Sequence, residues 1–439
     1  MELLIYTKNN SSRLTYIARL IFNDILAIKF RITTSHEEAA AYHGPLLAYN
    51  KEPVNGAIQI VPHGLLNEKG ISPQNFEVLS WRNLPVFPVT SPNGDFPFDI
   101  FTASFYLVSR YEEQLPATLD EHKRYRSEQS IAVKNNFLEL PVIDLWAFQL
   151  LDMLQSRFNG VAGCSRKFST MFTFDLDSAY AYRYKGFVRS ALGITRSLLN
   201  LRWKELQSRA RVLSGAINDP NDVYAEVARK LKSFDGTTWF IHAGSWGQHD
   251  KPISLLHPAM KKIVADLSKE FKLGIHPSYK SFRKNDTLSK EINRLSGVVG
   301  MKITRSRQHY LRFRLPETYI ELTKMGIHEE YSMGYPDRIG FRAGTCTPFT
   351  FYDLASDETL NLKVYPFAVM DSTLIFTNNC SIGESIQTIN GLIDVVKSVK
   401  GLFISVWHVD YLSESYPGKG WWKVLDAVIS RLKEAKGEN

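Results

Sequence analysis

Apolar positions along this chain switch repeatedly between two spacings. Leu3 to Tyr6, Ile28 to Ile32 and Ile58 to Val61 are short runs of strand length, whereas Leu14, Ile17, Leu20 and Ile21 recur at the spacing of a helix with one buried face. Ala103 to Glu113 reads as a core helix, with Asp99 placed to cap its N-terminus by accepting from the free backbone amides of the first turn. These elements make residues 1–163 a small α/β accessory domain.

The pattern restarts at Lys167. Phe168 to Phe174 form an apolar strand that runs into Asp175-Leu176-Asp177. Thr237 to Ile241 and Leu273 to His276 follow as strands, separated by a helix over Met260 to Phe271 that Pro258 opens. Ile339 to Arg342, Val364 to Met370 and Leu402 to His408 are later strands, Ser385 to Val399 is an amphipathic helix, and Trp422 to Ala435 closes the pattern. Such alternation over residues 164–439 predicts a (β/α) barrel or a doubly wound sheet. Between Tyr184 and Ser214, Arg189, Arg196, Arg202, Lys204, Arg209 and Arg211 are set against Leu198, Leu199, Trp203 and Leu206. A charged helix packed outside the barrel is the preferred reading of this segment, with peripheral contact to a membrane or an anionic glycan as the other.

Length agrees with two domains, because 439 residues exceed the size at which one core stops growing. With 44% hydrophobic and 22% charged residues, the chain has ample material for cores, which excludes a disordered class. The net charge of +8 comes without a dense basic block, so nucleic acid is not expected as a partner. Three cysteines are too few and scattered for a disulfide framework or a cysteine-based zinc site. The first residues lack a signal-peptide pattern, and no apolar run approaches the ~18 residues a membrane span needs. A soluble, cytoplasmic protein is the expectation.

Candidate chemistry gathers at strand ends. Residues two apart in a strand point to the same side, so Asp175 and Asp177 can face one site. His276 ends a second strand, Arg342 falls at the end of a third and His408 closes a fourth. Each has an ordinary explanation alone: a capped strand end, a rim arginine, a core histidine beside Trp407. Together, at the strand ends where α/β barrels carry their catalytic groups, they are the set a mononuclear metal hydrolase requires. His63 and His122 lie in polar surroundings without a partner at ligand spacing, and His242, His249 and His257 are set aside.

On these residues, and on the phrases Gly274-Ile275-His276-Pro277-Ser278-Tyr279, Arg307-Gln308-His309-Tyr310-Leu311 and Gly340-Phe341-Arg342-Ala343-Gly344-Thr345, the chain from about Lys167 to Ala435 resembles a family. It is the polysaccharide deacetylase (NodB-homology, carbohydrate esterase family 4) family, in a divergent bacterial branch with an extra N-terminal domain. The resemblance implies a distorted (β/α) barrel over 164–439 that hydrolyses N-acetyl, or alternatively O-acetyl, groups of a carbohydrate. It makes Asp175 the base, Asp177 a metal ligand, Arg342 the arginine that holds the base carboxylate and His408 the general acid. The family's second motif carries two histidines four residues apart; His276 matches the first, and position 280 is Lys280. His309 is the candidate for the remaining ligand, with a loop hydrogen bond as its equal alternative. The implied cofactor is a divalent metal ion, zinc first, although an Asp/His set also admits other first-row metals. Asp371 either orients Arg342 or His408 or caps a turn. A catalytically inactive carbohydrate-binding barrel, its metal site abolished at Lys280, is the alternative function. A glycoside hydrolase ranks last, since two acids on one strand lack the separation such enzymes need across a scissile bond.

Overall fold

A computed structural model of the chain describes residues 2–92, 94–413 and 418–437. The chain forms two compact units, each assembled from separate segments. The first takes residues 1–169, 313–369 and 391–404, and the second takes 170–312, 370–390 and 405–439. Where the sequence suggests one division near residue 163, the chain first changes unit after Ser169 and later returns to the first unit twice.

In the first unit, strands Phe30–Thr33, Leu3–Tyr6, Leu46–Tyr49 and Ile58–Ile60 lie side by side in that order, all parallel. The side chains of Leu3–Tyr6, Leu46–Tyr49 and Ile58–Ile60 are largely buried, as expected of a parallel sheet covered on both faces, while the edge strand Phe30–Thr33 is mostly half-buried. The helix Ile100–Val108 begins at Asp99, whose carboxylate accepts from the Thr102 amide at 3.0 Å. The same buried carboxylate takes the Tyr49 hydroxyl and the His63 amide, both at 2.8 Å, which gives His63 a structural place. The strand expected at Ile339 to Arg342 is instead a turn. Gly340 has φ +113° and Gly344 φ +68°, and a Cβ on Gly340 would lie 2.4 Å from the Leu138 carbonyl oxygen. The expected strand Val364 to Met370 is likewise shifted: an antiparallel partner of Phe349–Asp353 runs over Glu358–Val364, and pairing resumes only at Val369–Met370.

In the second unit, Ser169–Leu176, Thr238–His242, Lys272–His276 and Arg305–Ser306 are successive parallel neighbours. The end of Leu402–His408 flanks Ser169–Leu176 on its other side, where the Thr173 hydroxyl donates to the Ser405 carbonyl at 2.8 Å. The order does not return on itself, so among the described residues the sheet is open and the expected barrel is not closed. The architecture is mixed α/β. Helix Pro258–Glu270 starts with proline in its first turn and His257 as cap, and it buries Met260, Ile263, Val264 and Leu267. Gly274 pairs with Phe240 across the sheet, and a Cβ on it would meet the Phe240 ring at 2.5 Å. Parallel pairing in this register brings the C-terminal strand ends level, setting His242 beside His276 and Leu176 beside Ile241. Among the described residues no helix is long and apolar enough to cross a membrane.

Candidate metal centre and catalytic site

Three of the strand-end residues converge in the second unit. Asp177, His276 and His309 offer ligand atoms that all lie within 4.8 Å of one another. His276 ends its strand, and its Nδ1 lies 2.6 Å from the Arg307 carbonyl oxygen. A carbonyl can only accept, so the ring proton sits on Nδ1 and the Nε2 lone pair faces Asp177 Oδ1 at 3.1 Å. His309 stands on the short turn after Arg305–Ser306, with Nδ1 3.0 Å from Asp250 Oδ1 and Nε2 3.5 Å from Asp177 Oδ2. Its Nδ1 proton therefore goes to Asp250, and Nε2 is the ring nitrogen turned toward Asp177. Among the described residues, Asp177 Oδ1 is buried without a hydrogen bond despite the 3.1 Å approach of His276.

A carboxylate with an imidazole Nε2 at each oxygen needs positive charge between them, from a ring proton or from a cation. Burial alone would raise the Asp177 carboxyl, but His309 and His276 hold it well below the usual carboxylate range. Burial works against charge on His309, yet Asp177 and Asp250 push it up to about 9. A proton on His309 or a divalent cation would each fill this deficit. Two imidazoles and one carboxylate, with Asp177 partly open to solvent, are the donor set and open side of a catalytic metal site. The residues present fit such an ion.

Asp250 is the hub behind these groups. Besides His309 it receives His242 Nε2–H at 3.0 Å and the Tyr279 amide at 2.9 Å. The Gly244 amide donates to His242 Nδ1 at 3.0 Å, so the His242 proton is on Nε2 and neither nitrogen offers a free lone pair. His242, Asp250 and His309 also lie within ligand distance of one another, but this tautomer makes His242 and Asp250 supports and not ligands. Burial pushes the His242 imidazolium down, which favours the neutral ring.

Asp175 adjoins the cluster. Its Oδ1 accepts from the Arg307 guanidinium at 2.9 Å, while its Oδ2 lies 3.9 Å from both His276 Nε2 and His408 Nε2. Arg307 is itself tied to Thr173 Oγ1 at 2.8 Å and lies over the Phe240 ring. His408 is clamped by Asp371: Nδ1 lies 2.6 Å from Oδ1, and the backbone amide donates to Oδ2 at 2.6 Å. Burial opposes charge on this imidazole, but Asp371 pushes it up to about 10. Asp410, in the following turn, is pushed up to about 7 by burial and then by the charge of Asp177.

Arg342 requires a correction. Its guanidinium is engaged by both Glu113 oxygens, at 2.8 and 2.6 Å, and by the Gly334 carbonyl, and it lies between the Phe313 and Tyr335 rings. The arginine on the Asp175 carboxylate is Arg307. Lys280 contributes nothing to the ligand group, and His309 comes from the next strand end instead. Sequence reasoning passed over Arg307, His242 and Asp250. Two signals were legible: Arg307 stands two positions before His309, and His242 ends its strand as His276 ends the next.

A model of a family of unknown function (DUF7033) matches residues 3–159. None of the curated proteins matches the chain. Among solved structures, a protein from Mycobacterium smegmatis assigned as a polysaccharide deacetylase is 14% identical, with a TM-score of 0.40 over 62% of this chain and 85% of that one. A polysaccharide deacetylase from Bacillus cereus is 11% identical, with a TM-score of 0.32 over 61% and 88% of the two chains. A carbohydrate esterase family 4 pseudoenzyme from Bacillus anthracis is 10% identical, with a TM-score of 0.29 over 62% of each. Likenesses at this level leave the role of each residue to the distances given above.

Proposed function

We propose that the second unit is a metal-dependent hydrolase that removes N-acetyl groups from a carbohydrate. One observation carries the reading: two imidazole Nε2 atoms, each ring fixed by a partner at Nδ1, face the two oxygens of Asp177, of which Oδ1 is buried without a hydrogen bond. Beside them stands a second carboxylate with one oxygen held by Arg307 and the other directed toward His408.

Asp177, His276 and His309 would hold a divalent ion, zinc first, and such an ion supplies Lewis acidity toward an acyl oxygen and a lowered pKa for water. Asp175 takes the proton of the attacking water on Oδ2, because Arg307 occupies Oδ1 and fixes the plane of the carboxylate. His408 donates its Nε2 proton to the departing nitrogen, and Asp371 keeps that ring protonated and oriented. Asp250 holds His309 in the tautomer that turns Nε2 toward Asp177. Tyr310 against His309 and Tyr411 against His408 put flat aromatic faces beside the polar groups, a lining suited to a sugar ring.

Acetate release from N-acetylated oligosaccharides, measured with native protein, with chelated protein and with Asp175→Asn, tests the proposal. Release that is equally fast in all three samples would sink it. Glycan binding without stoichiometric metal and without acetate release would support the non-catalytic carbohydrate-binding reading instead.

A further inference from the structure

The segment 186–213 folds as two helices, Gly186–Leu199 and Trp203–Leu213, and the amphipathic pattern of the first is inverted. In an ordinary surface helix the apolar stripe faces the core. Here Phe187 is 88% exposed, Val188 69% and Leu199 79%, with Leu192 and Leu198 also open to solvent. At 100° per residue these five positions and Ile194 fall within an arc of about 160° on the first helix. The opposite face is small and polar and is the one that packs: Ser197 is buried, and a Cβ on Gly193 would lie 2.7 Å from the Arg209 guanidinium. The apolar surface continues over the tip. Leu201 in the turn between the helices, 70% exposed at φ +52°, and Trp203 at the start of the second helix, 64% exposed, extend it.

Charge says what this face suits. Residues 186–213 hold six arginines and lysines against one acid, Glu205. Arg196, Arg202, Lys204 and Arg211 are exposed around the apolar arc, and Arg189, on the same edge, is braced by the Pro252 and Lys251 carbonyls. An apolar face with a tip tryptophan, bordered by cations in excess of the one carboxylate, Glu205, which pairs with Arg202 and Arg209, complements a layer of hydrocarbon beneath anionic headgroups.

We propose that this helical hairpin seats the protein on an anionic phospholipid surface, with Phe187, Leu199, Leu201 and Trp203 entering the headgroup boundary and the flanking arginines and lysines contacting phosphates. It stands independently of the chemistry assigned to the metal centre.

The test is co-sedimentation of the full chain with vesicles of phosphatidylcholine alone or with one quarter phosphatidylglycerol, at low and high salt, beside a Leu199→Ser/Trp203→Ser variant and an Arg196→Gln/Arg202→Gln variant. All four positions are exposed, so thermal melts should match the native protein. The expected result is binding to the anionic vesicles that weakens with salt and falls by roughly tenfold or more in each variant. Absence of binding to anionic vesicles, or binding indifferent to both variants, overturns the proposal. So does a self-association of the free protein that Leu199→Ser/Trp203→Ser abolishes, because the face would then be covered by a second copy.

Discussion

Asp250 is the sharpest point at which to test the metal centre, because it touches a ligand without being one. Its buried Oδ1 accepts His309 Nδ1–H and His242 Nε2–H, both at 3.0 Å, and the Tyr279 amide at 2.9 Å. Asp250→Ala removes the group that fixes the His309 tautomer and ring plane. Loss of such an outer carboxylate weakens metal affinity by about 10- to 100-fold, or about 1.4–2.7 kcal/mol. Separately, each imidazole N–H left without its buried acceptor costs the folded state about 1–3 kcal/mol, so the chelated protein should also melt lower. Asp250→Asn keeps an acceptor oxygen and should fall between native and alanine on both scales. Competition for zinc against a chromophoric chelator measures the first effect, and thermal melts in excess chelator measure the second. A folded Asp250→Ala protein that binds zinc with native affinity would refute the reasoning, since His309 would then be no ligand or be oriented by another group.

His408 carries a pH prediction. Its folded-state pKa is raised to about 10 by Asp371, against an ordinary value near 6.5, so its stabilising contribution is complete below about 6.5 and is lost as pH rises through about 10. Activity that needs the imidazolium should therefore hold through neutral pH and fall only in the alkaline range. Asp371→Asn should move that alkaline limb downward, and a pH–rate profile left unmoved removes His408 as the acid. Arg342→Met should cost about 3–5 kcal/mol by stranding part of the buried Glu113 charge, while leaving zinc affinity at the native value. Reduced affinity in a folded variant would return Arg342 to the metal chemistry. Gly274→Ala drives a methyl toward the Phe240 ring, and overpacking of that kind costs about 1–3 kcal/mol. Its melting temperature should fall, and an unchanged melt would refute the close contact.

Several elements of both units could be read from local pattern. The Asp99 cap, the Pro258 helix start and the strand ends at His276 and His408 depend on a few neighbouring residues, and all appear where spacing puts them. That Asp175 and Asp177 share a side follows from the two-residue period of an extended chain. The choice between Arg307 and Arg342 does not follow from anything local. Arg342 stands between Phe341 and Ala343 and Arg307 between Ser306 and Gln308, and Arg307 reaches Asp175 because its amide continues the pairing with Ile275. Gly340 instead turns its segment against Leu138, in the first unit.

Asp250 illustrates the same limit. In sequence it is one acid in a polar loop, and its role arises only when that loop folds back on His242 and meets the turn holding His309. Closure of the sheet and the inward face of the hairpin at 186–213 are equally beyond a periodicity argument. A repeat reveals that a helix has two unlike faces, but packing decides which one meets the protein. Spacing along the chain thus determined the directions of side chains within each strand and helix. Only strand register and loop return decided which of them share a site, because those depend on contacts between residues far apart in the chain.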